Sequence, residues 1–175
     1  MHKAVKKVVI HAGEYCFDRE GTHVHTLLGS CISITLWHPK RKIGGICHFA
    51  LPKNPSPTSR PNPRYADDCM KLFLSSCESR NTKIREYEVK VFGGSDVTTK
   101  YPREMENSER SPIGEKNSVA AFELLLAEGA NIVSAHVGES GYRRIIFDIG
   151  TGDVWVKFRT LEKTAADLRS LSGRR

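Results

Sequence analysis

Long apolar runs are missing from this sequence of 175 residues. No stretch reaches the about 18 consecutive apolar residues of a membrane-spanning helix, so direct membrane insertion is not expected. The amino-terminal residues Met1 to Lys7 are basic, but the apolar run behind them, Val8-Val9-Ile10, is too short for a signal peptide and lacks a small-residue cleavage site. A cytoplasmic location is therefore expected. Cysteine is sparse: Cys16, Cys31, Cys47, Cys69 and Cys77 make an odd count of five with no C-x-x-C pair. That argues against a disulfide framework and against a zinc knuckle, and no metal or cofactor site is expected. Acidic residues are the minority, 20 against 27 lysines and arginines, giving a net charge of +7. The imbalance favours acidic partners. Nucleic acid is set aside, because there is neither a recognition-helix motif nor a basic stripe interleaved with aromatics. No internal repeat is present.

What is present suits one soluble domain. A hydrophobic content of 39% and a charged content of 27% are ordinary for a globular chain, and the length allows a real core. Residues 1–159 are read as a single domain and residues 160–175 as a basic terminal helix or tail. Val5 to Gly13, His23 to Leu28, Ile32 to Leu36, Ile43 to Ala50, Tyr87 to Phe92, Ile132 to Val137, Arg144 to Ile149 and Val154 to Phe158 read as strands. Cys16 to Gly21 reads as a loop. Helical spacing over Tyr65 to Ser79 and Asn117 to Glu128 predicts two main helices, the second stopped by Gly129. Pro52 to Pro63, with five prolines, is an exposed loop, and Ser95 to Pro112 is a polar excursion without periodicity. The fold class is mixed α/β (α+β type), with a mixed, largely antiparallel sheet packed by two helices.

The chain centres on a hairpin, Thr26 to Pro52. Apolar and small polar residues alternate over Ile32 to Leu36, and His38-Pro39-Lys40-Arg41 supplies turn chemistry. Pairing Trp37 with Lys42 sets Leu36 opposite Ile43, Ile34 opposite Gly45, Ile32 opposite Cys47 and Cys31 opposite His48. Directly opposed side chains have Cβ atoms about 4.5–5.5 Å apart. The same register gathers Ile32, Ile34, Leu36, Ile43 and Cys47 on a core face, so Cys47 is read as buried structure.

A cysteine after a glycine turn and facing a histidine is the minimum apparatus for thiol-based acyl transfer. The imidazole takes the thiol proton, sulfur attacks a carboxamide carbon, and the imidazolium protonates the leaving group. Backbone N–H groups around the Gly29-Ser30 turn, those of Ser30 and Cys31, are placed to hold the oxyanion. Thr26, His25 and Ser33 are the nearest candidates to orient the histidine. His11 and His136 have no chemical neighbour in sequence, and Cys69 falls on the buried stripe of the first helix.

Leu28-Gly29-Ser30-Cys31, followed 17 residues later by His48 within Gly44 to Pro52, resembles the signature of the chemotaxis receptor glutamine deamidases, the CheD family. Arg64-Tyr65-Ala66-Asp67, Phe92-Gly93-Gly94-Ser95, Ile113-Gly114-Glu115-Lys116-Asn117, Gly138 to Gly141 with Arg143 and Arg144, and Ile149 to Gly152 resemble further family motifs in the same order. The resemblance implies a layered α/β/α domain with a Cys–His–Thr site and no cofactor. It implies a cysteine-dependent protein-glutamine glutaminase acting on the cytoplasmic helices of methyl-accepting chemotaxis receptors, with recruitment to receptor arrays. It also implies a CheC-type phosphatase as a second partner; the alternative is a binding module that docks on receptors and regulates that phosphatase. By motif, Cys31 is the nucleophile and His48 the base. Family members with a T-x-x-x-G-S-C pattern carry threonine where this chain has His25; here T-L-L-G-S-C brings Thr26 to the third position, with His25 as the alternative.

Overall fold

The alternation that makes the central hairpin has to bury one face of each strand and find a cover for the other. In the computed structural model, which describes residues 4–97 and 111–161, both faces are covered. Strands β1 (Lys6–Val9), β2 (Glu14–Arg19), β3 (Thr22–Leu28), β4 (Ile32–His38), β5 (Ile43–Phe49), β6 (Glu88–Gly93), β7 (Asn131–Val137), β8 (Gly141–Asp148) and β9 (Val154–Thr160) are joined by helices α1 (Ala66–Glu78) and α2 (Ile113–Ala127). They form a four-stranded sheet, β1-β3-β8-β9, and a five-stranded sheet, β2-β5-β4-β6-β7. Only β1–β3 and β6–β7 pair in parallel; the remaining pairs are antiparallel. The expected mixed, largely antiparallel α+β domain with two main helices is what forms.

Two cores result. Ile32, Ile34, Leu36, Cys47 and Phe49 meet Cys69, Phe73, Ala121 and Leu125 of the two helices on one face of the five-stranded sheet. On its other face Ile46 and Phe92 pack against Val24, Leu28, Ile145 and Phe147 of the four-stranded sheet. Both helices therefore cover the same side, and among the described residues the layer opposite them is a second sheet rather than a helix. Trp37 bridges the sheets, donating its indole N–H to the Ile149 carbonyl at 2.9 Å.

Two local expectations change. Cys16 to Gly21 lies largely in β2, not in a loop: Tyr15 and Phe17 pack into the helix-side core while Cys16 faces the inter-sheet core. The hairpin register is offset by two, with His38 opposite Ile43, Ile34 opposite Cys47 and Ser33 opposite His48. An offset of two preserves which side chains share a face, so Ile32, Ile34, Leu36 and Cys47 keep their expected core side. Cys31, just outside β4, becomes the diagonal neighbour of His48 instead of its direct partner. The expected terminal helix or tail lies outside the described residues beyond 161, as does most of the 95–112 excursion.

Candidate active site

β3 leads out of the four-stranded sheet at Leu28, Gly29 and Ser30 turn the chain, and β4 enters the five-stranded sheet at Ile32. Cys31 therefore sits at the crossover between the sheets, where its side chain packs at the margin of the inter-sheet core, partly exposed. His48 lies near the end of β5 and is buried. Thr26 is on the inward-facing row of β3, also buried. Thr26 and the crossover cysteine, five residues apart, thus meet the end of β5, with Thr26 in direct contact with His48 and Cys31 its diagonal neighbour across the hairpin.

Thr26 Oγ1 lies 2.7 Å from His48 Nδ1 and donates its hydroxyl proton to the Ile10 carbonyl, also at 2.7 Å. A hydroxyl has one proton. With that proton on Ile10, Oγ1 must accept from Nδ1–H, which fixes the imidazole as the Nδ1–H tautomer and leaves the Nε2 lone pair free. Of the three candidates for orienting His48, Thr26 is the one bonded to it. His25 lies on the other face of β3, where Lys7, His23 and Arg144 surround it and, after burial, hold its pKa down. Ser33 pairs opposite His48, but its buried Oγ has no hydrogen-bond partner among the described residues.

Electrostatics favour neutral forms. Burial lowers the pKa of His48 to about 4, with His11 lowering it further and Glu14, opposite it on β2, opposing that. Burial also raises the Cys31 thiol, while Arg64 and the residue's own N–H pull the other way. Both shifts favour the uncharged forms at neutral pH, a thiol at Cys31 and an unprotonated imidazole at His48.

The crossover is held by backbone contacts that the motif residues make possible. Gly94 N–H donates to the Cys31 carbonyl at 2.9 Å and Ser95 N–H to the Gly29 carbonyl at 3.0 Å. Gly93 (φ 109°) passes so close that a Cβ there would sit 2.1 Å from the Cys31 oxygen. Ser95 is anchored in turn by Arg143, fully buried, which donates to Ser95 Oγ at 2.5 Å, to the Gly138 carbonyl at 2.8 Å and to His136 Nδ1 at 2.7 Å. His136, without a neighbour in sequence, has this structural one. Arg64, from the loop before α1, accepts the Ala50 and Leu51 N–H groups at its carbonyl and so closes the end of β5 beyond His48. Asn117, placed by sequence in a family-like motif at the helix entry but given no role there, has a structural one: its carboxamide donates to Ser30 O at 3.0 Å and to Ala50 O at 2.9 Å. Its place in that motif, a lone asparagine in the first turns of an apolar helix, was the available signal. Among the described residues no group of three or more His, Cys, Asp or Glu side chains could hold a metal ion.

Residues 50–158 match the family model described as CheD chemotactic sensory transduction. A probable chemoreceptor glutamine deamidase CheD from Pseudomonas syringae pv. tomato is 35% identical over 163 residues, covering 93% of this chain and 95% of that protein. Another, from Dechloromonas aromatica, is 35% identical over 168 residues, covering 95% of each chain. A third, from Geobacter sulfurreducens, is 33% identical over 166 residues, covering 95% of this chain and 97% of that one. Matched along most of its length by the family model and by full-length relatives, the chain belongs to the CheD family.

Proposed function

We propose that this protein deamidates glutamine side chains of chemoreceptors, using Cys31 as nucleophile, His48 as base and acid, and Thr26 to orient His48. The observation that carries the reading is the Ile10–Thr26–His48 hydrogen-bond chain, which leaves a bare Nε2 on a histidine that is the diagonal neighbour of the crossover cysteine. The relatives, probable chemoreceptor glutamine deamidases, supply the substrate class.

The steps follow from these groups. His48 Nε2 takes the Cys31 thiol proton as sulfur attacks the glutamine Cδ, and the carbonyl π electrons move onto oxygen. The tetrahedral oxyanion collapses, the C–N bond breaks, and His48 returns the proton to the departing ammonia, leaving a thioester. Water then attacks the thioester with His48 again as base, releasing glutamate and the thiol. Because both partners rest neutral, proton transfer accompanies attack, and a pre-formed thiolate is not needed. The Ser30 and Cys31 N–H groups, with Gly29 giving the turn its freedom, serve the oxyanion. Residues 1–159 act as one catalytic domain, in the cytoplasm at receptor arrays. Among the described residues no helix is long and apolar enough to cross a membrane. A CheC-type phosphatase is the proposed second partner.

The test is ammonia release and amide-to-acid conversion in receptor cytoplasmic fragments, wild type against Cys31→Ala. Release by the wild type alone is expected. Equal behaviour of the two proteins overturns the reading, and receptor or phosphatase binding by both without conversion would make the protein a binding module instead.

A further inference from the structure

We infer that Asn117 is a positioning residue for the oxyanion site: its carboxamide pins the Ser30 carbonyl and thereby aims the Cys31 N–H at the reacting centre. The inference rests on the deamidase reading and extends it to a residue on α2 that touches no reacting atom.

The three carbonyls of the crossover are each taken by a different donor. Gly29 O is held by Ser95 N–H, Ser30 O by Asn117 Nδ2, and Cys31 O by Gly94 N–H. No peptide bond of the described chain is cis. In a trans peptide the N–H points opposite to the carbonyl of the same plane. Fixing Gly29 O therefore sends the Ser30 N–H away from the Gly94–Ser95 segment, and fixing Ser30 O sends the Cys31 N–H away from α2. The influence of the Cys31 N–H on its own sulfur agrees with an amide turned to the thiol side. Two of the three clamps are backbone donors that no side chain replacement removes. The Ser30 clamp is a side chain, and it ties the crossover to the β5 end: the same NH2 group reaches Ala50 O, two residues past His48. Asn117 is completely buried, so water does not compete for these bonds. Both of its protons are used, which explains why a group with one donor would not serve.

An oxyanion forms during acyl transfer but not during alkylation of the thiol by iodoacetamide, and that difference gives a decisive readout. Asn117→Leu keeps the side chain's approximate size and removes both donors. Folding is checked by circular dichroism and thermal melting; should Asn117→Leu fail to fold, Asn117→Ala, which leaves room for water, carries the same measurements. Expected is a fall in kcat on the order of 10²-fold, with KM for a receptor fragment within about threefold of wild type and the pH-dependent rate of Cys31 alkylation unchanged. A matching fall in alkylation overturns the inference by placing Asn117's role in general site integrity, and an unchanged kcat overturns it by placing the residue outside catalysis. Failure of the deamidase reading itself is separately visible, since wild type would then release no ammonia.

Discussion

Thr26 carries a claim that can be tested against its neighbour. Thr26→Val removes the acceptor for His48 Nδ1–H and the donor to Ile10 O while keeping the shape. The imidazole is then free to adopt the unproductive tautomer, and kcat is expected to fall by about 10²-fold or more; Thr26→Ser should recover most of it. Two buried groups also lose their partners, at about 1–3 kcal/mol of stability in a denaturant melt. His25→Ala, on the far face of β3, should leave kcat within about twofold, and a loss as large as that of Thr26→Val would reverse the assignment. The spacing between threonine and cysteine could not decide this from sequence, because strand parity ends at Leu28 and the extra step is absorbed in the irregular Gly29-Ser30 turn. The pH dependence follows from His48. Its folded pKa of about 4 lies below the ordinary histidine value of 6.5, so between those values the unfolded chain binds more protons. Stability is then fully present above pH 6.5 and drains as pH falls toward 4, by at most about 3 kcal/mol. Chemical denaturation at stepwise pH should show that slope in wild type and a shallower one in His48→Gln, where the smaller contribution of His25 remains. In the same way kcat/KM should hold a plateau through pH 6.5, with its acid limb near 4.

At the level of elements, the glycine pair after β6 is where packing and chemistry meet. Gly93→Ala would combine a left-handed φ of 109° with a Cβ 2.1 Å from the Cys31 carbonyl, so either β6 or the crossover must move. Loss of at least about 2 kcal/mol and of most activity is expected. Gly129→Ala, with φ 65° but nothing within 4 Å, should cost only about 1 kcal/mol and spare activity. Melts and kcat for the pair separate conformational strain from displacement of the nucleophile. The hairpin's faces were legible from alternation, since Ile32, Ile34, Leu36 and Cys47 are buried together. Its register was not. The loop has the expected four residues but runs Pro39 to Lys42, because His38 stays in the strand against Tyr87, 5.1 Å between ring centroids, and Lys42 takes the left-handed turn at φ 49°. Strand β2 escaped notice because charged residues flank its three-residue apolar segment, Tyr15 to Phe17, whose side chains serve two different cores.

Across the whole molecule, the second sheet is the feature local pattern could least reveal. β1 pairs with β3 and β3 with β8, so the layer is assembled from segments more than about 120 residues apart, as in Val24 opposite Phe147. Alternation marks such strands as half-buried without naming the partner. Charge, by contrast, is a whole-chain property that sequence supplies directly, and it bears on how substrate arrives. On the proposed reading, a net charge of +7 would attract a receptor segment that gains a carboxylate with every glutamine converted. Attraction between separated surface charges is screened once the Debye length, about 10 Å at 0.1 M salt, shrinks toward 3 Å near 1 M. Encounter should suffer and chemistry should not, because in the proposed site His48 and Thr26 are buried, Cys31 is half-buried, and the uncharged forms of the cysteine and histidine are favoured. Steady-state kinetics on a receptor fragment are therefore expected to show KM rising several-fold between about 0.05 and 0.5 M salt at nearly constant kcat. A short uncharged glutamine peptide should show no such rise. A salt-insensitive KM for the receptor fragment would mean that the basic excess has no part in substrate capture, and a falling kcat would mean that charge acts inside the site itself.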